Sequence, residues 1–97
     1  MTGIKFTWDP KKNESNAKKH GISFDEAKSV FYDDNARFIY DPDSSEREDR
    51  FIILGLSIKF TILVVIHCYL EMESTIRLIS ARKATKKENK QYWEYTK

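Results

Sequence analysis

The chain has 97 residues, 40% of them apolar and 33% charged, so it is long enough for one domain with one core and too short for two. This composition excludes an intrinsically disordered chain, and the longest apolar run, around residues 62–66, is too short to span a bilayer. We therefore expect a single domain over residues 1–97 with no role in a membrane.

The charge pattern bears on nucleic-acid binding. With 17 Lys and Arg against 15 Asp and Glu the net charge is only +2, so a nucleic-acid site requires segregated charge. Acidic residues are concentrated at residues 33–49, whereas lysines are concentrated at residues 11–19 and 83–90. Both ends are therefore predicted to be basic. The single cysteine, Cys68, lies in an apolar strand pattern, which is typical of a reducing compartment and predicts a cytoplasmic location.

The N-terminal part predicts a strand followed by a helix. Residues 4–8 alternate apolar and polar side chains, as in a strand with one buried face. Asp9 and Pro10 are suited to the N-cap and the first helical position, and Gly21 is suited to a left-handed C-cap. A helix between Pro10 and Gly21 follows.

One face of this first helix is polar. Lys12, Asn16, Lys19 and His20 recur on it at helical spacing, and the interior offers only Ala17 as an apolar residue. Two interpretations stay open: a solvated helix held by its ends, or a face that contacts an anionic ligand.

A second helix and a strand are predicted next. A capping box of Ser23 and Glu26 places the helix start at Ser23, and the apolar stripe in residues 24–31 faces the core. Residues 37–40 are predicted to form a strand, and residues 41–45 a mobile, turn-rich connection.

Two β-rich runs, residues 50–56 and 60–69, form the predicted centre of an antiparallel sheet, joined by a hairpin turn at residues 57–59. The second run is apolar on both faces, so part of it is expected to stay exposed unless a partner chain covers it. His67, in this run, is predicted to be structural. The apolar residues are Phe60, Ile62, Val64 and Ile66 on one face and Leu63, Val65 and Tyr69 on the other.

The C-terminal stretch combines two arginines with a helix start. Residues 75–81 are predicted to form a strand, and a capping box of Thr85 and Glu88 starts the third helix. Arg77 and Arg82 then lie beside a lysine-rich helix N-terminus, an arrangement suited to phosphate; the alternative is that they only solubilise an edge strand. Because residues 77 and 82 would face opposite sides of an unbroken strand, Arg82 is expected to lie beyond it.

The remaining candidate site residues are aromatic residues near the C-terminus and possible metal ligands. Tyr92 is either a packing residue or a platform on which a base stacks, and Trp93 is expected in the core. Two distant histidines and one cysteine form no recognisable metal site, so we expect chemistry with no metal and no cofactor.

Two runs carry a family resemblance: Trp8-Asp9 with Lys12, Asn16 and Lys19-His20-Gly21, and Arg77-x-Ile79-Ser80-Ala81-Arg82-x-Ala84. Together with Phe6, Phe24, Ala27, Phe31, Arg50, Gly55, Glu88 and Tyr92 they resemble the BrnT family over nearly the whole chain. The resemblance implies an α+β, RelE-like fold, in which two N-terminal helices and a C-terminal helix pack on a small antiparallel sheet. It also implies a toxin of a type II toxin-antitoxin system that cuts RNA. One departure is the hairpin turn, which reads Lys59-Phe60-Thr61 where glycine and arginine are expected.

Metal-independent RNA cleavage requires a group that takes the proton of a ribose 2′-hydroxyl, a proton donor for the leaving oxygen, and cations for the developing charge. His20 is our prediction for proton transfer, because histidine is the side-chain type that most often transfers a proton at neutral pH. Arginine binds phosphate bidentately, which makes the arginines the predicted phosphate ligands. The predicted catalytic residues are thus His20, Arg50, Arg77 and Arg82, and the predicted RNA contacts are Lys12, Lys19, Lys83 and Tyr92.

The resemblance further implies a cognate antitoxin, BrnA-like and of ribbon-helix-helix type, with operator DNA contacted only through it. This antitoxin is expected to cover the exposed sheet face and to shield the basic residues from RNA. Two alternatives stay open: a catalytically silent RNA-binding module, and an interaction protein whose sheet face only binds a partner.

Overall fold

A five-stranded sheet with helices on both faces forms the described part of the chain. The computed structural model describes residues 4–39, 50–70 and 74–95, with only the backbone of Tyr95, so the predicted connection at residues 41–45 lies outside it. No helix in these ranges is long and apolar enough to cross a membrane. The elements in chain order are β1 (Lys5–Thr7), α1 (Pro10–His20), α2 (Phe24–Lys28), a 3₁₀ turn (Ser29–Tyr32), β2 (Arg37–Ile39), β3 (Phe51–Leu56), β4 (Ile62–Leu70), β5 (Thr75–Lys83) and α3 (Lys86–Tyr95).

The strand order is β1-β5-β4-β3-β2. All neighbouring strands are antiparallel except β1, which runs parallel to β5. The prediction of an α+β fold is confirmed, and the one parallel pair is a difference from the fully antiparallel sheet that was expected. Since β1 and β5 lie far apart in the chain, no short hairpin forces them to be antiparallel.

The predicted ends of α1 are confirmed. The Lys11 N–H donates to the Asp9 carboxylate at 2.9 Å, and Pro10 occupies the first turn. Gly21 has a φ of 72°, and its N–H donates to the Ala17 carbonyl at 2.9 Å. These local contacts end the helix where a side chain with a Cβ would be strained.

The two predicted capping boxes differ in the structure. Thr85 and Glu88 form a full box, with the Thr85 N–H to Glu88 Oε1 at 2.8 Å and the Glu88 N–H to Thr85 Oγ1 at 3.2 Å. Ser23 forms half of one, accepting from the Glu26 N–H at 3.1 Å. The Glu26 carboxylate instead accepts a hydrogen bond from Ser57 at 2.7 Å, because α2 lies against the hairpin turn.

Each face of the sheet has its own apolar cluster. One cluster joins α2 and the 3₁₀ turn to β3, β4 and β5; the other joins Tyr92 of α3 to β3 and β4. The expectation that an apolar part of the run 60–69 stays exposed is confirmed only for Phe60; no residue of β4 is exposed, because α3 lies on the face opposite α2. The two sets of β4 residues that these clusters bury are Leu63 and Val65, and Ile62 and Val64.

Phe60 differs from its prediction. It lies in the hairpin turn rather than in β4, and its side chain is 84% exposed. The turn spans residues 57–61 because the Ser57 N–H donates to the Thr61 carbonyl and the Phe60 N–H to the Ser57 carbonyl, both at 2.9 Å. β4 therefore begins only at Ile62.

Candidate active site

β5 carries one residue more than the strand it pairs with. Ser80 pairs with Ile66 and Leu78 pairs with His67, so Ile79 has no counterpart on β4. Such a bulge interrupts the alternation of side chains along a strand. Because one extra residue is inserted, two positions an odd number apart, one on each side of the bulge, point to the same face.

The bulge places two predicted arginines on the same face. Arg77 pairs with Cys68 and Arg82 pairs with Val64, and positions 64 and 68 of β4 share one face. The expectation that Arg82 lies beyond the strand is wrong, since β5 continues to Lys83. The two arginine backbones lie about 13 Å apart along the strand at the usual rise per residue.

The outer edge of β5 is covered first by β1 and then by a side chain of α1. Asn16 donates through Nδ2 to the carbonyl oxygens of Ala81 at 2.8 Å and Ile22 at 2.9 Å, and its Oδ1 accepts from the Ala81 N–H at 3.1 Å. The Asn16 amide thus replaces the backbone of a neighbouring strand. Because Asn16 is buried and Ala17 is exposed, α1 docks through a polar side chain and is held at its middle as well as at its ends.

This docking brings three predicted site residues together. Lys12, Lys19 and His20 line a shallow depression, in which α1 faces the bulged residues Ile79 and Ser80. His20 is half-buried and both lysines are exposed. Residues 79 and 80 lie between positions 77 and 82 of β5, so the depression opens beside the strand segment that carries the two arginines.

Arg82 is already paired with a carboxylate. Its Nη1 and Nη2 donate to Glu88 Oε1 at 2.8 Å and Oε2 at 3.0 Å. Hydrogen bonds from this guanidinium, helped by the Thr85 N–H, hold the pKa of Glu88 at about 2. The pair joins β5 to the first turn of α3, so a phosphate at Arg82 must compete with Glu88.

Arg50 lies next to Arg77 across β4. Phe51 pairs with His67, and continuing this register by one residue places Arg50 opposite Cys68, whose partner on the other side is Arg77. The two arginine backbones are then about 10 Å apart, two strand spacings. Both arginines are half-buried, so each keeps part of its surface exposed.

The open alternatives for the C-terminal aromatic residues are decided by burial. Tyr92 is 1% exposed, and its hydroxyl donates to Asp33 Oδ2 at 2.6 Å. Of the two interpretations of Tyr92, a packing residue or a platform for a base, its environment agrees with packing. Burial, and then this bond, raise the pKa of Tyr92. The prediction that Trp93 lies in the core is wrong, since it is 54% exposed. Consecutive helix residues point about 100° apart, so only one of the two can face the sheet.

Docking of α1 through Asn16 and the bulge at Ile79 are the two features of the site that the sequence patterns did not predict. One signal for Asn16 was available: a helix without an apolar face needs another way to dock. The bulge also had a signal in the sequence. Arg77 and Arg82 are an odd number of residues apart, so they can share a face of one strand only if a bulge lies between them. Within residues 4–39, 50–70 and 74–95, no three His, Cys, Asp or Glu side chains are grouped so as to hold a metal ion.

Comparisons with known proteins identify the family and the fold. The family model for the ribonuclease toxin BrnT of type II toxin-antitoxin systems matches residues 8–88. In fold, the chain is similar to the crystal structure of the Brucella abortus ribonuclease toxin BrnT, with a TM-score of 0.66 and 24% identity over 86% of this chain and 99% of that one. No curated protein matches the chain.

Proposed function

We propose that this chain, which belongs to the BrnT family of ribonuclease toxins of type II toxin-antitoxin systems, cuts single-stranded RNA without a metal at the depression beside the β5 bulge. One observation carries the location: Asn16 fixes α1 against β5, so that His20 and two lysines line the depression formed with Ile79 and Ser80. Family membership favours the ribonuclease over a silent RNA-binding module or a pure interaction protein.

The proposed reaction is a transesterification within the RNA. The ribose 2′-hydroxyl attacks the adjacent phosphorus, and the bond to the 5′-oxygen of the next nucleotide breaks. His20 takes the proton of the 2′-hydroxyl and returns it to the leaving 5′-oxygen. The products are a 2′,3′-cyclic phosphate and a free 5′-hydroxyl, and the atoms and protons balance without another reactant.

The cations have separate roles in this proposal. Arg77 and Arg50 stabilise the charge on the non-bridging oxygens of the pentacovalent phosphate. Lys12 and Lys19, exposed on α1, bind the phosphates on either side of the cleaved one. Arg82 takes part when a phosphate displaces Glu88, so we assign it a weaker contribution than Arg77.

The partner follows from the family. A type II toxin has a cognate antitoxin, and we propose that this one is BrnA-like, of ribbon-helix-helix type, and alone contacts operator DNA. An acidic segment of the antitoxin laid over Lys12, Lys19 and Arg77 would block RNA at the same site. Because no exposed β4 face is present among the described residues, we expect this segment to bind by charge, so the complex weakens with salt. We propose that toxin and antitoxin meet in the cytoplasm.

The test is cleavage of a labelled single-stranded RNA by the purified protein in excess chelator. We expect fragments that end in a 2′,3′-cyclic phosphate. Cleavage that appears only after Mg²⁺ is added would refute the metal-independent mechanism. RNA that is bound yet stays intact with and without metal would favour the silent RNA-binding module.

A further inference from the structure

Phe60 occupies a position that folding alone would assign to glycine. Its φ is 60°, the left-handed region in which a bulky side chain is strained, and the ring is 84% exposed. The side chain thus contributes strain and buries little apolar area, so neither backbone preference nor core packing explains a phenylalanine here. Strained residues of this kind cluster at binding and catalytic sites.

Hydrogen bonds tie the turn that carries Phe60 to α2. Ser57 Oγ accepts from the Lys59 N–H at 3.2 Å and donates to the buried Glu26 carboxylate at 2.7 Å. The Ile58 N–H donates to Ser29 Oγ at 2.9 Å, which ties the turn to the end of α2 a second time. These bonds hold the backbone at Phe60 in place before any ligand arrives, which reduces the ordering cost of binding.

A second exposed aromatic residue lines the same depression as Phe60. Trp93 is 54% exposed, and its ring meets the buried Tyr92 ring edge-on, with centroids 5.0 Å apart. The Ala84 N–H donates to the Ile62 carbonyl at 2.9 Å and joins the start of β4 to the segment before α3. The depression is lined by Phe60, Thr61, Ile62, Lys83, Ala84, Asn89 and Trp93.

We propose that Phe60 and Trp93 hold a nucleobase of the single-stranded RNA between them and that Lys83 binds its phosphate. Two aromatic rings beside an ammonium group match the way single strands are bound, with bases stacked on rings and the backbone held by cations. The proposal rests on the proposed function and deepens it, because it adds a base-binding subsite to the cleavage site.

The charge of the surroundings favours a polyanion over a protein segment as the occupant. Lys83 lines the depression, and Lys59, also exposed, is the neighbour of Phe60 in the turn. None of the residues that line the depression is acidic. The subsite lies a few residues along β5 from Ser80, about 10 Å at the usual rise, so a short RNA reaches both sites.

The experiment measures the affinity of a fully 2′-O-methylated oligonucleotide, which lacks the attacking hydroxyl and cannot be cut. Phe60→Gly relieves the strained backbone, so we expect an equal or higher melting temperature together with about tenfold weaker binding. Trp93→Leu is expected to weaken binding by a similar factor. The matched control is Ile58→Ala, a change at a residue of the same turn that is 69% exposed and does not line the depression.

The outcomes separate this subsite from the cleavage site. Weaker binding by Phe60→Gly and Trp93→Leu, with Ile58→Ala unchanged, supports the subsite. Wild-type affinity in Phe60→Gly, in a protein that still cuts RNA, overturns the subsite and leaves the proposed function intact. Loss of antitoxin binding by Phe60→Gly with unchanged affinity for the oligonucleotide overturns it too and marks a protein-binding surface. A wild-type protein that binds the oligonucleotide through these rings but cuts no RNA refutes the proposed function alone.

Discussion

The two histidines of this chain differ in nearly every physical respect. His20 ends α1, is half-buried, and lines a depression beside two lysines. His67 is 0% exposed, and burial lowers its pKa from about 6.5 to about 4, which the 3.4 Å contact of Nδ1 with the Val65 carbonyl only partly offsets. Its Nε2 has no hydrogen-bond partner among the described residues. The rings packed around it belong to Phe31, Phe38, Phe51 and Tyr69.

The comparison shows that burial decides what a histidine can do. Burial among aromatic rings disfavours the charged form of the His67 imidazole, so this side chain is neutral at pH 7 and contributes packing. An imidazole at a basic, accessible rim is in reach of a ribose hydroxyl and solvent, as proton transfer requires. The prediction that His67 is structural agrees with this environment, whereas the catalytic role of His20 stays a prediction.

The largest expected effect is that of His20→Ala. Because the proposed proton transfer is lost, RNA cleavage should fall by about a hundredfold to ten-thousandfold, while the affinity for RNA changes little. Single-turnover cleavage and binding of an uncleavable RNA check the two parts. His67→Leu is the matched control and should retain most activity. Equal rates for His20→Ala and the wild type would remove His20 from the mechanism.

Arg77→Ala tests the cation that we propose stabilises the transition state. We expect the barrier to cleavage to rise by about 2–4 kcal/mol, since a cation that stabilises the transition state is removed. Arg77→Lys should restore only part of the rate, because lysine does not bind phosphate bidentately. Arg37→Ala, at the other edge of the sheet, is the control. A wild-type rate for Arg77→Ala would return this arginine to a solubilising role.

Asn16→Ala tests how the site around His20 is held. The substitution leaves the Ala81 N–H and two backbone carbonyls without their partner, so the free energy of unfolding should fall by about 2–4 kcal/mol. Cleavage should also fall, since α1 no longer fixes His20. Denaturant unfolding measures the free energy of unfolding, and RNA cleavage at temperatures below the unfolding transition measures the activity of the folded variant. Asn13→Ala, which removes one bond from the Phe24 N–H, should cost about 1 kcal/mol; an equal loss in both variants would contradict the special role of Asn16.

The pH dependence of stability tests His67. Its folded pKa of about 4 lies below the unfolded value near 6.5, so the unfolded chain binds the proton first. The stabilisation is complete above about pH 6.5 and is lost as the pH falls towards 4, by at most about 3 kcal/mol. Chemical denaturation between pH 4 and 7 should show this slope in the wild type and not in His67→Leu. The same slope in both proteins would assign it to other groups.

The smallest effect concerns Glu88, whose folded pKa of about 2 lies below its ordinary value of 4.5. Its contribution is therefore present above about pH 4.5 and lost as the pH falls towards 2. Because the Arg82 side chain is 37% exposed, solvent screening limits the pair to about 1 kcal/mol or less. Glu88→Gln should flatten the stability curve in this range, whereas Glu14→Gln, at an exposed pair with Lys18, should not. An identical effect of the two variants would show that the Arg82 pair is an ordinary surface pair.

Sequence by itself determined the features that depend on neighbours in the chain. Asp9 with Pro10, Gly21, and Thr85 with Glu88 marked helix ends correctly, because capping satisfies backbone groups within a few residues. Strand patterns located most of the strands, because the alternation of apolar and polar side chains also depends only on neighbours in the chain. The two family runs brought His20 and Arg77 into one hypothesis, although no local rule says how far apart they lie.

Tertiary structure alone decided the rest. The bulge at Ile79 depends on how β5 pairs with a strand elsewhere in the chain, and it sets which face Arg82 occupies. Whether Tyr92 or Trp93 is buried depends on the rotation of α3 against the sheet. Asn16 is a docking residue only because the β1 pairing ends before Ala81, which leaves backbone groups that a side-chain amide can satisfy. Such choices depend on contacts between distant segments, whose geometry the order of residues does not display.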